Sequence, residues 1–69
     1  MEQIIEIEFD VNKVCEAVQL ASIYKVTHEL RETHPGGLLT VRFTGEQKKL
    51  EELVEFVHPG DEFEAYMIV

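Results

Sequence analysis

Between Tyr24 and Phe43 a helical spacing of apolar residues gives way to a two-residue alternation, and His34-Pro35-Gly36-Gly37 then reverses the chain. That reversal turns an apparent βαβαβ order into βαββαβ. A helix running from Lys13 to Thr33 would put Ile23, Val26 and Leu30 opposite the stripe formed by Val14, Ala17, Val18 and Ala21, with Lys25 and His28 on the stripe itself. One straight amphipathic helix has a single apolar face, so the segment reads better as a strand. In that reading Tyr24, Val26, His28 and Leu30 point one way and Lys25, Thr27, Glu29 and Arg31 the other, and the β-branched content suits it.

Pro35-Gly36 has the chemistry of a type II turn, proline presetting the first φ and glycine accepting the positive second one. With those two residues as the loop, His34 faces Gly37. The same register sets His28, Glu29 and Leu30 against Phe43, Arg42 and Val41. Two-residue loops prefer the primed turns, so a longer loop with a shifted register is the alternative.

The flanking segments complete the order. Ile5, Ile7 and Phe9 alternate with Glu6, Glu8 and Asp10, the period of a strand with one buried face. Asp10 and Asn12 are both N-cap types, and a short helix follows through about Ser22. Leu39, Val41 and Phe43 form the inner face of strand three, after which Thr44-Gly45-Glu46-Gln47 has the form of a capping box. Leu50, Leu53, Val54 and Val57, with Phe56 alongside, make the stripe of helix two, which His58-Pro59-Gly60 ends. Phe63, Ala65, Met67 and Val69 alternate as a fourth strand. The expected fold is α+β, an open-faced sandwich of a four-stranded, largely antiparallel sheet with two helices on one face, in a single domain spanning residues 1–69. The open face would carry Ile4, Leu38, Tyr66 and Ile68 among charged and polar residues, the expected surface for dimerisation.

At 69 residues the chain has one small core, of a size that rarely supplies more than roughly 3–5 kcal/mol of net stability. Fourteen acidic against six basic residues give a formal charge of −8, which opposes approach to nucleic-acid phosphates or anionic lipid. No apolar run reaches the roughly 18 residues that cross a bilayer, and Met1-Glu2-Gln3 lacks the basic segment of a signal peptide. A single cysteine fits a reducing, cytoplasmic setting. The two His-Pro-Gly triplets, one in a hairpin and one after a helix, read as shared turn chemistry rather than a repeat.

Val18-Gln19-Leu20-Ala21-Ser22-Ile23-Tyr24, followed by a strand ending Glu29-Leu30-Arg31-Glu32, resembles the histidine-containing phosphocarrier family, HPr, as does Gly60-Asp61-Glu62 before the last strand. In that family a Val-Gln-x-Ala-Ser-x-aromatic run leads into a strand ending in Leu-Glu, and a histidine in Gly-x-His-Ala-Arg-Pro carries the phosphoryl group at the mouth of helix one. Counting back from Val18 puts Asp10 at that histidine and Asn12 at the arginine, so the resemblance implies a scaffold without the carrier site. Thr44 occupies the place of the family's regulatory serine.

The expected function is that of a small non-catalytic module that binds a protein partner or dimerises, without cofactor or metal. The resemblance places its contact region at Asp10, Asn12, Thr44, Gln47 and Leu50. A phosphoryl-accepting carrier using Asp10 or a histidine is one alternative. A ferredoxin-like ligand-sensing or subunit-pairing domain is another, and strand order separates it: the last strand lies at an edge in ferredoxin-like folds and between strands one and two in the phosphocarriers. Cys15 reads as a semi-buried helix residue, His28 as a packed inner-face residue, and Thr44 as a cap. His34 and His58 would bind a metal only by converging with a carboxylate such as Glu32 or Asp61.

Overall fold

The computed structural model describes residues 1–68. Strand β1 (Glu2–Asp10) leads through a 3-10 turn (Val11–Lys13) into helix α1 (Val14–Tyr24); strands β2 (Thr27–His34) and β3 (Leu38–Glu46) form a hairpin, and helix α2 (Gln47–Val57) follows. The sheet is antiparallel and three-stranded in the order β1-β3-β2. The class is therefore α+β with two helices and an open sheet.

The expected fourth strand is replaced by a second 3-10 turn, Phe63–Tyr66, followed by a single antiparallel bridge from Met67 to Ile5 and a bond from the Ile68 N–H to the Ile4 carbonyl. The expected end of that strand, Val69, lies outside the described residues. Continuing the Ile5–Met67 register toward Asp10 explains the loss. It would set Glu64 directly opposite Glu8 and Glu62 opposite Asp10, on one face of the sheet, and like charges in that relation destabilise pairing. Met67 and Ile68 meet β1 on its side away from β3, at the sheet edge.

Helix α1 continues to Tyr24, two residues beyond the expected end and into the segment expected to start strand two. Lys25 adopts the left-handed conformation at φ 59°; its N–H bonds to the Ser22 carbonyl and that of Val26 to the Ala21 carbonyl, a Schellman closure built without glycine. The hairpin loop has three residues rather than two, with both Gly36 and Gly37 at positive φ, so His34 pairs with Leu38. A bulge at Arg31 then absorbs the one-residue slip, and Leu30 still opposes Val41, Glu29 opposes Arg42 and His28 opposes Phe43.

The core joins Ile5, Ile7 and Phe9 of β1 with Leu39, Val41 and Phe43 of β3, beneath Ala17, Leu20 and Ala21 of α1 and Leu50, Leu53 and Val54 of α2. Phe9 meets Phe43 edge to face at 6.1 Å. The helices cover β1 and β3 but leave β2 uncovered, so His28 and Leu30, expected on a packed inner face, are exposed. On the opposite face Arg42 bridges to Glu6 through Nε at 3.0 Å and a terminal nitrogen at 2.9 Å.

Candidate functional site

The residues expected to form one contact region lie at opposite ends of the sheet. The antiparallel register puts Thr44 beside Ile4 and Asp10 beside Leu38, so six residues of β1, about 20 Å of strand, separate Asp10 from the Thr44 end. Thr44 is a strand residue whose carbonyl accepts a bond from the Thr27 hydroxyl, and the N-cap position of α2 falls to Glu46, with no side-chain cap. The capping box is therefore absent, because β3 stays paired with β1 as far as Glu46, opposite Glu2. Gln47 spends its amide on Glu51, one turn ahead, and Leu50 is 0% exposed at the centre of the core. Leu50 cannot contact a partner.

At the other end Asp10 behaves as expected of a cap: its carboxylate accepts the Asn12 N–H at 2.9 Å and holds the 3-10 turn that starts α1. Around it opens a cleft of about 280 Å³ lined by Glu8, Phe9 and Asp10 of β1, Lys13, Glu16 and Leu20 of the following helical segment, and Phe56, Val57 and His58 at the end of α2. A second, more apolar cleft of about 310 Å³ is walled by Glu16, Gln19, Leu20, Ile23 and Phe56. The two adjoin at Glu16, Leu20 and Phe56, and together they line a groove from the edge of β1 along the α1–α2 seam. Its most prominent apolar groups, Ile23 and Phe56, are 67% and 65% exposed.

The alternation of Phe56 with its buried neighbours explains this exposure. Leu53, Val54 and Val57 occupy the inner arc of α2, which leaves Phe56 on the flank facing α1, where a helix of a monomer usually carries a polar group. That flank residue was the one readable signal for the groove, and the sequence alone groups it with the core stripe.

The 3-10 turn below the groove is fastened by side chains. Tyr66 donates its hydroxyl to Asp61 at 2.6 Å and stacks on the His58 ring at 5.6 Å, with the planes 4° apart. The bond to Asp61 holds the Tyr66 hydroxyl above the usual phenol range, with smaller upward contributions from burial and from the Asp61 charge. His34 sits elsewhere, on the open sheet face, bonded to the Thr40 hydroxyl at 2.7 Å with Glu8 3.9 Å away. His34 and His58 therefore do not converge, and no cluster of metal-ligating side chains occurs among the described residues. Cys15, expected to be semi-buried, is exposed on α1. No helix is long and apolar enough to cross a membrane among the described residues.

The site is thus an apolar trough with Asp10, Lys13 and Glu16 toward its β1 end and the Glu8 carboxylate beyond the strand edge, on the open sheet face. Compared with known proteins, the chain matches no family model, no curated protein and no solved structure.

Proposed function

We propose that this protein is a non-catalytic binding module that docks a partner protein in the groove between α1, α2 and the edge of β1. The observation that carries the reading is the pairing of Ile23 and Phe56, two large apolar side chains about two-thirds exposed and walling the same trough. Buried in an interface, such groups act as anchors, and the surrounding carboxylates form a polar rim. The partner replaces the expected contacts at Thr44, Gln47 and Leu50 with contacts near Asp10, Asn12 and the end of α2.

The open face of the sheet offers less for pairing subunits. Its centre is occupied by the Glu6–Arg42 ion pair and the His34–Thr40 bond rather than by apolar side chains.

A photo-crosslinking amino acid placed at Gln19, on the groove wall, and at Thr40, on the open sheet face, tests the reading in cells. Adducts from position 19 that disappear on Phe56→Ser are expected, with none from position 40. Adducts from position 40 alone, or adducts from position 19 indifferent to Phe56→Ser, refute it. A solution mass of twice 8.0 kDa that Phe56→Ser returns to the monomer identifies the occupant as a second copy.

A further inference from the structure

The acidic end of the groove coincides with the part of β1 that the chain's own C-terminal segment fails to pair. The Ile4 carbonyl accepts the Ile68 N–H, so it points away from β3; by the two-residue repeat of a strand, the main-chain groups of Glu6, Glu8 and Asp10 point the same way. The residues that would meet Glu8 and Asp10 in that register, Glu64 and Glu62, are committed elsewhere. Their carbonyls accept the Met67 and Ala65 N–H groups inside the 3-10 turn, at 3.3 and 3.1 Å. Between the Ile5–Met67 bridge and the 3-10 turn that Asp10 caps, no main-chain bond from another element reaches this edge among the described residues.

Resting on the docking groove proposed above, we infer that its occupant is an extended segment of the partner that adds to β1 at Glu6–Asp10 as the missing strand, with basic residues facing Glu8 and Asp10. The pleat sorts its side chains. Alternate residues would point inward toward Phe9, Leu20, Phe56 and Val57 and should be apolar; the residues between them would lie beside Glu8 and Asp10, where lysine or arginine removes the repulsion that keeps Glu64 and Glu62 out. Charge also decides against a second copy at this edge. Two β1 edges paired antiparallel would bring Glu6, Glu8 and Asp10 of one copy against the same carboxylates of the other.

Two measurements test this. In cis, Glu62→Lys with Glu64→Lys removes the like-charge opposition, so the chain's own segment should zip onto β1. The Glu8 amide would then donate to the residue 64 carbonyl, and its hydrogen exchange should slow by at least about tenfold. Unchanged exchange at Glu8 in this folded variant overturns the account of the empty edge. In trans, a capped Lys-Val-Lys-Ile-Lys-Val peptide should shift the Glu6, Glu8 and Asp10 amide resonances and protect Glu8 from exchange. Its affinity should fall at least about threefold on Glu8→Gln with Asp10→Asn, and be lost in the Glu62→Lys, Glu64→Lys variant.

Equal binding of a Glu-Val-Glu-Ile-Glu-Val peptide, shifts centred on Thr40 and Arg42, or no binding of the lysine peptide overturns the proposal. Crosslinks at position 19 that persist through such a failure leave the groove as a docking site and remove only the strand as its occupant.

Discussion

Gly45→Ala is the substitution whose cost the structure states most directly. Gly45 is buried in β3, opposite Gln3, at the point where the end of α1 turns down onto the sheet. A Cβ there would stand 2.6 Å from the Val26 Cγ1 and 3.1 Å from its Cβ. The first contact is far inside the van der Waals limit, and a β-branched side chain held to one rotamer has little freedom to turn away. The second involves an atom fixed to the backbone, so relief requires α1 and β3 to separate. Overpacking of this kind costs about 1–3 kcal/mol, against which alanine recovers about 0.5–1 kcal/mol of the strand penalty of glycine. The net loss is centred near about 1 kcal/mol and reaches about 2.5 kcal/mol at most, a large share of the roughly 3–5 kcal/mol expected for a core of this size.

Urea unfolding followed by circular dichroism should show the midpoint lowered by about 1 M, given a slope near 1 kcal/mol per M. Val26→Ala supplies the control. Alone it should cost about 2 kcal/mol for the two carbons removed, whereas combined with Gly45→Ala the added methyl fills part of the space, and the two costs should fall short of additivity by about 1 kcal/mol. A Gly45→Ala midpoint at or above that of the parent, or costs that add within about 0.5 kcal/mol, refutes the packing argument.

Lys25→Gly should raise stability by about 1 kcal/mol in the same assay, because Lys25 holds φ 59°, a conformation that glycine adopts without strain; a loss would show that its side chain contributes more than its backbone costs. Leu50→Ala should cost about 2–5 kcal/mol and leave the chain largely unfolded, whereas Phe56→Ala should stay within about 0.5 kcal/mol of the parent by thermal unfolding, since one side chain is fully buried and the other projects into solvent. Tyrosinate absorbance of the Tyr24→Phe protein should place the Tyr66 midpoint above the ordinary phenol value of about 10, and Asp61→Asn should lower it. Because the folded-state value is raised, the stability linked to the Tyr66–Asp61 bond is complete below the ordinary value and is lost as pH rises through the folded one. The stability advantage of the parent over Tyr66→Phe should therefore shrink only on that alkaline side.

The β2–β3 hairpin was legible because turn chemistry and side-chain alternation act over a few residues. Even so, the agreement at Leu30–Val41 rests on two features that cancel, the third loop residue of the alternative reading and an unforeseen bulge at Arg31. The end of α1 was not legible: a Schellman closure normally announces itself by glycine, and here lysine takes the strained position while Val26, the next residue, is buried against the core. The groove was legible only in fragments. Asp10 was marked as a cap by its type, but nothing in the order of residues says that the end of α2 returns to it, or that Phe56 falls on the flank instead of the stripe.

By itself the amino-acid order determined the local pieces: two amphipathic helices, an alternating first strand, a reversal at Pro35-Gly36, and an acidic balance of charge. Only the tertiary structure decided which strands lie side by side and therefore which charges meet. Phe63, Ala65 and Met67 recur at the period of a strand, yet pairing is a property of two segments, and the register that would complete the sheet sets carboxylate against carboxylate. The empty edge and the groove beside it follow from that opposition, which becomes visible once β1 has a position.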